Sequence, residues 1–202
     1  MSTTISLNPP RRAVLADLIR TESWLVDGAL ILTGIVVMSV LAQISIKVPG
    51  SPVPVTGQTL GVGLVGASLG ARRGGASLLG YVLAGLALPV YADGSKGWGV
   101  LWGATGGYLI GMVFAAALIG ALAERAADRK VLTAFAAFIG AQLLIFGFGL
   151  AGLKIYFPNN SWSWVIDVGF APFIVGGLIK AAIGGMALPA AWHAVKRLDR
   201  VR

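Results

Sequence analysis

The chain has 202 residues, of which 56% are hydrophobic and 12% charged, and a net charge of +8. Ordinary soluble domains carry about 25% charged residues, so this composition excludes one and indicates a polytopic membrane protein built of helices. There is no cysteine, which excludes disulfides, thiolate-bound metal and a cysteine nucleophile.

Residues 1–26 are expected to form a cytoplasmic tail. Pro9 and Pro10 suit a helix start, and Val14, Leu15, Leu18 and Trp24 share a face opposite Arg11, Arg12 and Asp17. Two readings fit: a short amphipathic helix on the membrane surface, or a solvated helical lead-in. Arg11, Arg12 and Arg20 precede the first long apolar run by many residues, and that run is of spanning length, so no cleaved signal peptide is expected.

Six spans follow, within a transmembrane domain of residues 27–192. The first is expected over 27–46, with Gly34, Met38 and Ala42 at four-residue spacing, a pattern that permits close helix contact. The loop 48–56, VPGSPVPVT, holds Pro49, Pro52 and Pro54; proline lacks an N–H donor and restricts its predecessor, so this segment is extended and can fold over a cavity. A short glycine-rich span over 56–69 ends at Arg72 and Arg73, and the next, 74–92, follows as its antiparallel neighbour. The turn-rich stretch 93–99 leads into a span over 100–123, in which Gly103, Gly106, Gly107 and Gly111 leave one side nearly bare. A charged hairpin, 124–130, precedes a span over 131–153 with Gln142 near its middle; an interhelical hydrogen bond is the favoured reading of that amide. The aromatic-rich loop 154–163 leads to the last span, 164–192, with a break expected near Pro172. Residues 193–202 form a basic cytoplasmic tail.

The distribution of charge fixes an orientation. With the N-terminus inside, twelve basic residues flank the cytoplasmic side and three (Lys47, Lys96, Lys154) the outer side. This supports both termini in the cytoplasm. Because these charges sit at span flanks, a lipid bilayer is the expected partner and nucleic acid is not.

Lys180 is the remaining basic residue, alone among apolar and small neighbours over 169–191. A Lys at the centre of a membrane helix costs roughly 2.5–3.5 kcal/mol, so such a residue marks a polar or anionic ligand unless it snorkels out. Tyr91, Trp98, Trp102, Tyr108, Tyr156, Trp162 and Trp164 gather toward the outer half, as an interfacial belt or as a stacking surface. No GK[ST] phosphate loop and no HExxH occurs, so no catalytic residue, metal site or cofactor is expected, and the chain is not read as an enzyme.

Four blocks carry a family resemblance: AQISIKVPGSPVPVTGQTLGV (42–62), GASLGARRGGASLLGYVLAGLALPVYADG (66–94), GATGGYLIGMVFAAALIGALAE (103–124) and GFAPFIVGGLIKAAIGG (169–185). In their order, spacing and loop chemistry they resemble BioY, the biotin-specific substrate-capturing component of energy-coupling factor (ECF) transporters. The resemblance implies an all-α bundle of six transmembrane helices in the bacterial cytoplasmic membrane. It implies biotin as transported ligand, in a cavity near the outer face under the loop 48–56 with its Pro49, Pro52 and Pro54. It implies an energising transmembrane subunit and a pair of ATP-binding subunits as partners, with partner-free members also known.

Residue by residue, the resemblance assigns Thr56, Gln58 and Thr59 to the loop and helix start beside the site. It assigns Gly106, Gly107 and Tyr108 to a glycine–glycine–tyrosine motif against the ligand, Tyr91 to an aromatic near the cavity, and Lys180 to the lysine of the last helix. The family's usual aspartate three residues before that lysine is Gly177 here; Asp167 is the candidate to replace it if the backbone returns it to the site. Ala104 stands for a usual proline and Gly57 for a usual leucine. Met38 interrupts the small-residue stripe of the first span, through which the wider class docks on its energising subunit. Weighed against this reading are capture of another small vitamin-like ligand, a membrane enzyme acting on lipid-linked substrates, and a structural membrane subunit without ligand.

Overall fold

The computed structural model describes residues 13–19 and 23–201. Its first long helix, α1 (Trp24–Gln43), starts at Ser23, whose hydroxyl accepts from the Leu25 N–H at 3.3 Å. Most of α1 faces outward, with Leu25, Leu32, Val36 and Val40 exposed. Its buried residues are Gly34, Met38 and Ala42. The stripe thus faces the chain's own bundle: Gly34 abuts Ser77, and a Cβ on Gly61 would come 2.8 Å from Met38 Sδ. Its residues are covered by the next two helices, so the small-residue spacing here serves packing within the chain.

Two-residue strands β1 (Ser45–Ile46) and β2 (Val55–Thr56) pair antiparallel, Ser45 with Thr56 and Ile46 with Val55. They gather residues 47–54 into a strap. It turns at Gly50, whose φ of +80° suits glycine, with the Ser51 N–H donating to the Val48 carbonyl at 3.0 Å.

Helices α2 (Gln58–Leu69) and α3 (Ala71–Ala84) are joined by Gly70 alone, at φ +87°. Gly66 and Gly74 let them fold closely together; a Cβ on Gly74 would lie 2.9 Å from Gly66 Cα. At 12 and 14 residues they rise about 18 and 21 Å, less than the roughly 30 Å of a hydrocarbon core. The third expected span therefore ends early, and residues 85–97 form turns around Tyr91.

The expected continuous helix over 100–123 is divided into α4 (Trp98–Leu101) and α5 (Gly106–Glu124). Gly106 sits against the Leu101 carbonyl with no room for a Cβ, so the chain needs glycine at this corner. Then come α6 (Val131–Tyr156), α7 (Trp162–Gly169) and α8 (Ile174–Val201). The break between the last two falls at Phe170 and a 3-10 turn, Ala171–Phe173, holding Pro172, as the sequence predicts.

Helix α5 packs on α2, α3 and α6; α8 closes against α6 and α2; α1 lies on α3 and α2. By length and apolarity Trp24–Gln43, Gly106–Glu124, Val131–Tyr156 and the broken Trp162–Asp199 qualify as membrane spans.

One end of the bundle is basic. There Arg73 bridges Asp27 at 2.7 Å and Asp17 at 3.3 Å, and Glu124 accepts from the Ala71 N–H at 2.8 Å. The Trp192 indole donates to Asp128, and the Arg129 guanidinium lies 4.2 Å from the centre of the Trp192 ring. Residues 13–19 dock here as a single 3-10 turn, Leu15–Leu18, with Val14 and Ala16 buried. The rest of the expected lead-in helix, residues 9–12 and 20–22, lies outside the described residues.

Candidate functional site

At the opposite end, α2, α5, α6 and α8 surround a cavity of about 500 Å³ beneath the strap. Its floor is polar. Lys180, on α8, donates to the Thr56 carbonyl at 2.5 Å and to the Thr59 hydroxyl at 3.1 Å. An ammonium has three donors, so one remains for a ligand. Among the described residues no carboxylate pairs with Lys180. Beside it, Gln142 of α6 donates to the Gly177 carbonyl at 3.0 Å.

One wall is aromatic. Tyr108, at the start of α5, packs edge-on against Phe146 at 6.2 Å between ring centres, and Phe146 meets Phe173 at 5.8 Å. The Tyr108 hydroxyl donates to the Gly169 carbonyl at 2.8 Å, which ties α5 to the end of α7. That hydroxyl is therefore occupied, and the ring presents apolar surface.

A second wall is a buried chain of hydrogen bonds. The Thr56 hydroxyl donates to Gln58 Oε1 at 2.8 Å, and Gln58 Nε2 donates to the Tyr81 hydroxyl at 2.8 Å. Tyr81 in turn donates to the Val90 carbonyl at 3.2 Å. Tyr91 stands edge-on to Tyr81, ring centres 5.7 Å apart, and its hydroxyl donates to the Val82 carbonyl at 2.6 Å. Gln58 and Tyr91 are thus hydrogen-bonded to protein partners and brace the site.

Pro52, Val53 and Pro54 form the roof. The strap is fastened at both margins. Lys180 holds Thr56, and the Ser51 hydroxyl donates to the Val168 carbonyl of α7 at 2.7 Å.

Of the residues expected at the site, Lys180, Tyr108, Thr56, Gln58, Tyr91, Pro52 and Pro54 line this cavity, as does Thr59. Gly106, Gly107, Asp167 and Pro49 do not. Gly107 serves helix packing: a Cβ there would clash with the Phe148 carbonyl and lie 3.0 Å from Gly152 Cα. Asp167 is exposed on α7, with the Ser163 hydroxyl 3.5 Å away, and the backbone does not return it to the floor. Trp98, Trp102 and Trp162 are exposed and lie outside the cavity, whereas Tyr156 lines it.

Gln142, Phe146 and Phe173 were not singled out for the site. A polar amide in the middle of an apolar helix was the available signal for Gln142; the phenylalanines carry none, since membrane helices are apolar on every side.

A family model described as the BioY family matches residues 13–197. The chain belongs to the BioY family. Among its BioY relatives, the biotin transporter BioY2 of Lactococcus lactis subsp. cremoris is 37% identical over 163 residues, covering 79% of this chain and 87% of that protein. The biotin transporter BioY of Rhodobacter capsulatus is 40% identical over 149 residues, covering 68% and 77%. A crystal structure of the S-component for biotin from an ECF-type ABC transporter superposes with a TM-score of 0.74 over 83% of this chain and 90% of that one. At 21% identity, that likeness establishes a shared fold.

Proposed function

We propose that this chain captures biotin and acts as the substrate-binding component of an ECF-type transporter in the bacterial cytoplasmic membrane. The observation that carries the reading is a single ammonium, Lys180, on the floor of a cavity roofed by a proline strap, in a chain whose relatives are named biotin transporters. A cavity of about 500 Å³ falls within the usual range for small-molecule sites. The aromatic wall suits the fused rings of biotin. The remaining Lys180 donor suits an oxygen of the ligand, either of its carboxylate or of its ureido carbonyl. Closure of the strap excludes water and strengthens those polar contacts.

In this reading all six expected segments cross the membrane. Helix α2 crosses together with the strap above it, and α3 together with the turns over 85–97, which make up their missing length. The basic end faces the cytoplasm and the cavity end faces outward, following the excess of cytoplasmic Lys and Arg. The partners are an energising transmembrane subunit and ATP-binding subunits, since uphill movement needs an energy source that the chain's own sequence does not encode.

The test is equilibrium binding of labelled biotin to ligand-stripped protein in detergent, with unlabelled biotin, desthiobiotin and lipoate as competitors. Saturable binding displaced by the first two and not by lipoate is the expected result. Folded protein without biotin binding would remove the assignment.

A further inference from the structure

Gln142 is 5% exposed, lies on α6 and faces α8. Its Nε2 donates to the Gly177 carbonyl at 3.0 Å. A carbonyl oxygen only accepts, so this bond fixes which amide atom is the nitrogen. The other end, Oε1, has no protein donor among the described residues. It is not sealed away, and both Gln142 and Gly177 line the cavity. Gly177 makes this placement possible: a Cβ at that position would come 2.5 Å from Gln142 Oε1. A glycine in a helix interior is unfavourable for the helix, and here it opens the notch that the amide oxygen fills.

Lys180 lies three residues further along α8 and also lines the floor. The floor therefore offers a cationic donor and a neutral acceptor from adjacent positions. The Gln58 oxygen already takes the Thr56 hydroxyl, whereas Gln142 Oε1 has no protein donor among the described residues. Asp93 lines the mouth and is exposed to water, so it adds no dry acceptor. An N–H-bearing head group that reaches the floor thus finds its acceptor at Gln142.

We infer that Gln142 Oε1, held in the notch at Gly177, accepts a ureido N–H of biotin and makes the site selective for ligands that carry that donor. This rests on the biotin reading above. A ligand without the N–H leaves a dry amide oxygen unpaired, and the penalty for an unpaired buried acceptor exceeds the value of the bond itself.

The experiment measures binding of biotin and of its two ureido N-methyl regioisomers to the wild type and to Gln142→Met, which keeps an unbranched side chain without the acceptor. The wild type is expected to bind at least one regioisomer about tenfold or more weakly than biotin. In Gln142→Met, biotin affinity is expected to drop by about tenfold, and biotin and that regioisomer to fall within about threefold of one another. Loss of discrimination is a readout that a merely structural role for Gln142 would not produce. A variant that keeps the wild-type ratio overturns the inference. So does a wild type that binds both regioisomers as well as biotin, which decides the matter even if the variant fails to fold. A folded wild type that binds no biotin overturns the capture reading itself; biotin binding with an unchanged ratio overturns only the role of Gln142.

Discussion

Lys180 of α8 donates to the hydroxyl of Thr59 on α2 at 3.1 Å, and the same ammonium holds the carbonyl of Thr56 at the foot of the strap. One side chain therefore joins the last helix, the cavity floor and the hinge of the roof. Under the proposed capture of biotin, a ligand drawing on this ammonium would pull on a group already bonded to the strap, and occupancy of the floor would be coupled to the position of the roof.

The other margin of the roof depends on Ser51, whose hydroxyl reaches the Val168 carbonyl at 2.7 Å. A net hydrogen bond of this kind is worth about 0.5–1.5 kcal/mol. Ser51→Ala is expected to raise the biotin dissociation rate by roughly three- to tenfold with little change in the association rate. Stopped-flow release of a fluorescent biotin derivative measures this. An unchanged release rate would mean that the clasp does not control the roof.

Gly107 and Gly152 bring α5 and α6 into backbone contact; a Cβ on Gly152 would lie 2.8 Å from Gly107 Cα. Gly107→Ala is expected to destabilise ligand-free protein by about 1–3 kcal/mol, the range for overpacking. Thermal unfolding in detergent without biotin reads the effect. Full stability would contradict the packing role of this glycine.

Asp128 lies in the hairpin between α5 and α6, outside the membrane-spanning segments. Burial pushes its carboxyl above the usual carboxylate range, against the opposing pull of the Trp192 N–H, its own backbone and Arg129. The folded protein thus holds this proton more tightly than the unfolded chain, where a carboxyl titrates near about 3.9. The protonated form's contribution to stability is lost as pH rises from that value through the raised folded value. Asp128→Asn keeps an acceptor for Trp192 and abolishes the titration. Its melting temperature is expected to fall less than the wild type's as pH rises through the acid range. Identical slopes for the two proteins would contradict this assignment.

The absence of cysteine makes orientation easy to test. Lys96 and Arg125 are both exposed, at opposite ends of the bundle. In intact cells, Lys96→Cys is expected to react with a membrane-impermeant maleimide. Arg125→Cys is expected to react only after permeabilisation. The reverse pattern would invert the proposed topology.

The strap, the break at Pro172 and the gathering of Lys180, Thr56 and Tyr108 at one cavity are legible in the sequence because prolines, a lone charge and a dense motif are local signals. The break between α4 and α5 is not. Residues 100–123 hold no charge and no proline, and the tight seat of Gly106 on the Leu101 carbonyl marks the corner. The facing of the helices was equally hidden. Lipid and protein core are both apolar, so Gly34, Met38 and Ala42 could not declare which partner covers them. Gln142 makes an interhelical hydrogen bond, as the sequence leads one to expect; its partner, the Gly177 carbonyl, and its place in the cavity lining needed the fold.

The most direct measurement is calorimetric titration of biotin into ligand-stripped wild type beside Lys180→Met and Lys180→Ala. The account predicts saturable binding by the wild type and at least tenfold weaker binding by both variants, about 1.4 kcal/mol or more. It also predicts that Lys180→Met folds as stably as the wild type, because it relieves the cost of an ammonium at membrane depth. Wild-type affinity in both folded variants would contradict the claim that Lys180 holds the ligand.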